Sequence, residues 1–272
     1  DVVIPSDYMI ARMIEEDMLE PLNFDNIPNF ADIDPELKNP EYDPENLYSV
    51  PYMWGLMGVI YNKTMVDEAD LGSWDLMWNE KYADDILMFD NSRDAIGIGL
   101  KMLGYSYNTT DEAQIKEAVD LLVEQKPLVQ AYVMDEVFGK MEGGNAAVGT
   151  YYYGDYLTMV ENNPDLGFYI PEEGTNTYVD AMCILKGAKN KENAEAFINY
   201  MCSTEAGLKN CEEIWYSTPL MSVREELDPE VANDPYAYPD EEIMDKCESY
   251  AGLPQNILDL YDSEWTRLKS AT

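Results

Sequence analysis

Three short stretches carry carboxylates and hydroxyls, and the first and third add aromatic rings: Pro5-Ser6-Asp7-Tyr8, Asp90-Asn91-Ser92-Arg93-Asp94 and Tyr151-Tyr152-Tyr153-Gly154-Asp155. Carboxylates neutralise cations, and a tyrosine or tryptophan face attracts an ammonium group by about 0.5–2 kcal/mol, depending on desolvation. Acid plus ring is what an alkyl diammonium requires, with its ends neutralised and its methylenes covered. The same mix serves sugars, because such rings pair an apolar face with a polar handle. Two ligand classes therefore stay open at this level. Each stretch also has a plain structural reading. Ser6, Ser92 and Asp155 are good helix N-caps, and Asp7 and Asp94 are acids in a helix first turn. On these residues alone, capping weighs more than binding.

Composition narrows the partners. Against 54 acidic residues stand 17 basic ones and no histidine, a formal charge of -37. A polyanion repels nucleic acid and anionic lipid heads and attracts cations, although solubility alone accounts for the charge equally well. The lack of histidine removes the commonest general base and transition-metal ligand. Tyrosine (21) and tryptophan (5) together far outnumber phenylalanine (6), which suits a wet binding surface better than a dry core. The cysteines Cys183, Cys202, Cys211 and Cys247 form no CxxC pair, so no zinc or redox motif is present. Cys202 and Cys211 fall on what read as consecutive helices, and pairing and buried free thiols both remain open. The longest apolar run, Trp54 to Tyr61, is too short to span a bilayer.

The elements that must position these residues alternate between short strands and capped helices. Strands are expected at Asp1 to Pro5, Met57 to Asn62, Ile86 to Phe89, Ala146 to Tyr152 and Tyr178 to Leu185. Helices are expected from Ser6 or Asp7 towards Glu20, from Ser73 to Trp78, from Ser92 to Leu103 with Gly104 as stop, from Thr110 or Asp111, from Asp155, and from Lys191 to Cys202. From Ser217 onward the chain reads as mainly helical with proline-rich connections. The pattern is α/β. In such folds ligands sit where strand C-terminal ends meet helix N-termini, which is where the three stretches lie.

At these junctions the sequence resembles the spermidine/putrescine-binding proteins of bacterial ABC transporters. The resemblance runs over essentially the whole chain through DVVIPSDYMIARM, YSVPYMWGLMGVIYN, FDNSRDAIGIGLKMLGYSYNTTD, YVDAMCILKGAKNKENAEAFINYM, STPL and WTRLKSA. It implies a two-lobed, class II periplasmic-binding-protein fold that closes on its ligand by a hinge. Lobe 1 would be residues 1–54 and 177–215, lobe 2 residues 55–176 and 216–272, with the ligand cleft between them. The implied function is non-enzymatic: an extracytoplasmic receptor, without cofactor or metal, that captures spermidine or putrescine and presents it to a permease. Asp94 and Asp180 would be the ionic anchors, Tyr8, Tyr152, Tyr178 and Tyr216 the lining rings, and Ser6 a polar contact. Asp7, Asn91 and Trp54 are further candidates.

The chain departs from the family pattern at several points. Asn91 replaces an expected aspartate, and Tyr152 and Tyr178 stand where the family often has tryptophan. A late C-terminal glutamine has no counterpart near Tyr250 and Ala251. The family also begins with a strand–helix–strand–helix stretch carrying a Trp-Thr-Glu-Tyr-like motif, whereas this chain starts at the following strand. The resemblance then implies an incomplete lobe 1 whose edge beside Val2 to Pro5 is open to self-association. Two other functions merit a test. A glycoside hydrolase would use paired carboxylates among rings. A ferric-ion receptor would use Tyr151 and Tyr152 as phenolate ligands, and neighbouring strand residues share a site only where the strand has ended.

Overall fold

Ile86–Phe89 is four apolar residues in succession, and in the computed structural model, which describes residues 1–271, all four are buried. Such a run suits a parallel strand covered on both faces, and parallel strands flank it here. In chain order the strands are β1 (Val2–Val3), β2 (Ser49–Asn62), β3 (Ile86–Phe89), β4 (Val129–Val133), β5 (Val148–Tyr152), β6 (Leu166–Tyr169), β7 (Asn176–Ile184) and β8 (Glu248–Ser249). The helices are α1 (Asp7–Glu15), α2 (Ser92–Met102), α3 (Glu112–Gln125), α4 (Glu136–Glu142), α5 (Tyr153–Asn162), α6 (Lys191–Met201), α7 (Thr204–Ile214), α8 (Met221–Glu226), α9 (Pro229–Ala232), α10 (Glu241–Met244) and α11 (Gln255–Ser270). Among the described residues no helix is long and apolar enough to cross a membrane.

The chain divides into two units. The first comprises Asp1–Gly55, Thr177–Pro239 and Ser249–Gly252. The second comprises Leu56–Asn176, Asp240–Glu248 and the stretch from Leu253. Residues 216–239, expected with the second lobe, pack in the first unit. Trp54 and Ser217 exchange backbone hydrogen bonds at 3.1 Å, and Leu220 bridges to Ile33.

In the first unit β7 runs antiparallel to β1, and its other neighbour is β2. The period-two alternation of β7 feeds two apolar clusters. Val179, Ala181 and Cys183 pack with Ile10, Met13 and Leu19. Met182 and Ile184 pack with Ile27, Val50, Ile198 and Val223. The helix expected to run towards Glu20 ends at Glu15. The backbone turns at Asp17 (φ 56°), Leu19 bridges to Leu185, and Glu20 N–H donates to the Ile184 carbonyl at 2.8 Å. Pairing with the end of β7 thus competes with another helical turn and wins.

In the second unit the strand order is β6-β2-β5-β3-β4, with β3 parallel to β4 and β5, and β2 antiparallel to β5 and β6. Helix α2 lies close to α3. A Cβ at Gly99 would meet the Ala118 carbonyl oxygen at 3.0 Å, so glycine permits the approach. The C-terminal carbonyls of α11 are satisfied by one ammonium, Lys126 Nζ, which donates to Leu268, Lys269 and Ala271 oxygens at 2.9, 2.8 and 2.6 Å. The expected Ser73–Trp78 helix is a 3₁₀ segment, Trp74–Trp78, with Ser73 as its cap. All four cysteines are free, so Cys202 and Cys211 do not pair.

Candidate functional site

In the first unit several of the candidate residues gather around Asp180. Ser6 has the extended backbone of an N-cap for α1, yet its side chain makes no capping bond. Its hydroxyl instead donates to Asp180 Oδ1 at 2.6 Å. An isolated antiparallel bridge between the two residues holds them opposite each other, with Ala181 N–H donating to the Pro5 carbonyl at 3.1 Å. Burial pushes the Asp180 carboxyl above the usual range, and the Ser6 hydroxyl opposes that shift. Among the described residues no lysine or arginine pairs with it.

Tyr178 lies two residues earlier on β7 and therefore on the same face. Its ring meets Tyr216 edge-on, with centroids 5.7 Å apart. A Cβ at Gly55 would lie 2.5 Å from its hydroxyl oxygen, so the missing side chain makes room for the ring. Tyr8 meets Tyr250 edge-on at 6.1 Å. The Tyr52 phenol is pushed up by burial, with Cys211 and Asp180 adding to the shift, which places it in the field of Asp180.

Two further candidates stand apart. Asp7 is fully buried and accepts from Tyr8 N–H at 2.7 Å. Burial and then Asp7 raise the Tyr42 phenol, so this carboxylate looks into the core. Trp54 donates from Nε1 to the Thr218 carbonyl at 3.2 Å. It lines a cavity of about 490 Å³ with Leu220, Arg224 and Tyr238, and none of Asp180, Tyr178 or Tyr216 borders that cavity.

In the second unit the corresponding set is built on a helix start. Asn91, not Ser92, is the N-cap of α2, and its side chain accepts from Arg93 N–H at 2.9 Å and Asp94 N–H at 3.4 Å. The expected aspartate is thus replaced by a residue occupied with capping. Asp94 is buried in the first turn of α2, where the helix dipole favours a negative charge. Tyr152 ends β5 and donates from its hydroxyl to Asp94 Oδ2 at 3.3 Å. Phe89 lies against both Tyr151 and Tyr152, at 5.4 and 5.5 Å between centroids. Asp155 is not a cap: α5 begins at Tyr153, and Asp155 is an acid in its first turn.

The structure thus brings Ser6, Asp180, Tyr178 and Tyr216 together in one unit, and Asp94 and Tyr152 in the other. It adds Gly55, Tyr52, Tyr250 and Phe89, which sequence reasoning missed. Gly55 sits inside a strand pattern, where glycine marks a close approach, so a signal for it exists. Nothing local marks Tyr250, whose role comes from a fold-level encounter with Tyr8. The phenolate reading loses support. Tyr151 donates to Asp135 at 3.2 Å and Tyr152 to Asp94, so the neighbours serve different carboxylates. Burial, followed by Asp155 and Asp135, pushes the Tyr151 phenol up, against the ionisation a metal would need.

The family described as bacterial extracellular solute-binding protein matches residues 1–239. The spermidine/putrescine-binding periplasmic protein of Escherichia coli is 33% identical over 99% of this chain and 77% of its own length. The protein of the same name from Salmonella typhimurium is 34% identical over 91% of this chain and 71% of its own. Among solved structures, the spermidine/putrescine ABC transporter substrate-binding protein PotD of Streptococcus pneumoniae is similar with a TM-score of 0.90 and 40% identity, over 99% of this chain and 83% of that one.

Proposed function

Because the chain belongs to the bacterial extracellular solute-binding proteins, we propose that it is an extracytoplasmic receptor that captures a polyamine, spermidine or putrescine, and delivers it unchanged to an ABC transporter permease. The observation that carries this reading is Asp180. It is a desolvated carboxylate with only a neutral hydroxyl to hold it and rings on its own face. A half-buried carboxylate with no lysine or arginine partner among the described residues is stabilised by an incoming ammonium. Tyr178 and Tyr216 supply ring surface for the methylenes beside it. Asp94 with Tyr152, in the second unit, is another carboxylate-and-ring pair of the kind that attracts an ammonium. Ser6 orients Asp180, and Tyr8 on Tyr250 extends the aromatic lining.

The test is thermal denaturation and calorimetric titration with putrescine, spermidine, a neutral amino acid and a sugar. A ligand present at about 100 Kd stabilises the native state by roughly 2.7 kcal/mol. Only the polyamines should raise Tm and give a saturable heat, and the bound polyamine should be recovered intact. A shift with sugar and none with polyamine would overturn the reading.

A further inference from the structure

The closing stretch of the chain places Trp265 and Lys269 one turn apart on α11, on the same side of the helix. Neither residue belongs to the sets around Asp180 and Asp94. Their face meets the edge strand β4 and the residue that follows β3. Asp90 is tied there by its N–H, which donates to the Val133 carbonyl at 2.9 Å, and Tyr132 precedes Val133. The rings of Tyr132 and Trp265 stand at 85° with centroids 5.8 Å apart, forming a corner. The Lys269 ammonium sits in that corner, 4.4 Å from the Tyr132 centroid and 5.4 Å from that of Trp265. It donates to Asp90 Oδ1 at 2.8 Å. The Tyr132 hydroxyl is buried, so the ring face is what this residue offers the ammonium. Burial, with Asp90 adding, raises that phenol to about 12, which keeps it neutral beside the carboxylate.

We propose that the corner of Asp90, Tyr132 and Trp265 is a second alkylammonium site, which the chain fills with its own Lys269. Two ring faces and one carboxylate around one ammonium each attract such a group. The occupant is loosely held. The Lys269 and Asp90 side chains remain 37% and 45% exposed, and exposed ion pairs contribute little to stability. A tethered group nevertheless competes at an effective concentration on the order of millimolar. Free alkylammonium therefore enters the intact protein only at high concentration, and removing the tether opens the site. The site makes no use of Asp180 or Asp94, so it stands or falls independently of the polyamine reading.

The test is titration of ¹⁵N-labelled protein with n-butylammonium chloride, following the indole N–H resonance of Trp265. In Lys269→Ala, and in Lys269→Gln, which retains more of the stem, the resonance should shift saturably. The apparent Kd should be about tenfold lower than in the unaltered protein, the ratio expected when the tethered ammonium leaves the corner open about one-tenth of the time. Asp90→Asn combined with Lys269→Ala should remove most of that difference. Identical titration curves with and without Lys269, or an equal shift with sodium chloride, would overturn the proposal.

Discussion

The Asp180 set and the Asp94 set hold the same chemistry, a carboxylate, a hydroxyl and rings, but hold the charge in opposite ways. Asp180 projects from a strand, where the backbone dipoles nearly cancel. Its burial raises its pKa, and one serine hydroxyl counters this. Asp94 projects from the first turn of α2, where the free N–H groups already favour an anion. Local backbone thus decides which carboxylate has an unmet need for positive charge. Under the proposed function, Asp180 depends on the ligand more than Asp94 does.

The largest expected effect is on affinity. Asp180→Asn should weaken putrescine binding by about 2–5 kcal/mol in calorimetry, the scale for losing one partner of a desolvated charge pair. Asp94→Asn should weaken it by less. Asp155→Asn, at an acid in the first turn of α5, should change affinity least. Equal losses at Asp180 and Asp155 would break the division between binding acids and helix-start acids.

Next comes Gly55→Ala. Its Cβ would lie 2.5 Å from the Tyr178 hydroxyl oxygen, so the ring must move. Overpacking of this kind costs about 1–3 kcal/mol of stability, and thermal denaturation would show it. Affinity should fall as well, because Tyr178 shares its face with Asp180. An unchanged Kd would remove Tyr178 from the site.

Ser6→Ala should be milder, about 1–2 kcal/mol in affinity, because it removes one hydrogen bond to a charged group. It should also raise the Asp180 pKa further. Polyamine binding would then fade at a higher pH on acidification than in the unaltered protein, and binding measured across the carboxylate range would detect this.

The smallest effect sharpens the comparison most, because its sign differs between the two sets. The folded-state pKa of Asp180 lies above its unfolded value. Its stability contribution is therefore fully present below the unfolded pKa and is lost as pH rises through the folded one. At neutral pH, without ligand, Asp180→Asn should melt slightly higher than the unaltered protein, and the gap should close in acid. Asp94→Asn should melt lower, by about 0.3–1 kcal/mol, because it removes a charge from a helix start. Melting curves at two pH values check both signs.

Much of this is readable in the sequence, and the failures have specific causes. Strand β3 reads residue for residue, because a buried parallel strand is one apolar run bounded by polar residues. Strand β2 begins at Ser49 rather than at the expected Met57; Pro51 lies inside it, and a proline in the sequence argues against a strand there. At Ser6 capping and binding make the same local signal, and only the position of β7 shows that the hydroxyl turns to Asp180. At Asn91 the same ambiguity resolves the other way, into a cap. Local propensity sets where a helix starts. It does not reveal whether the residue at that start faces its own backbone or a carboxylate 174 positions further along.

The four free cysteines have a consequence for life outside the cytoplasm. Burial raises the Cys183 and Cys202 thiols to about 12 and Cys211 to about 11. Disulfide exchange and oxidation both start from the thiolate. At neutral pH these three residues carry almost none, and their packing screens what little forms. Cys247 is only half-buried, so it is the thiol an oxidant would reach first. Burial here withholds the nucleophile, and no sulfurs are paired.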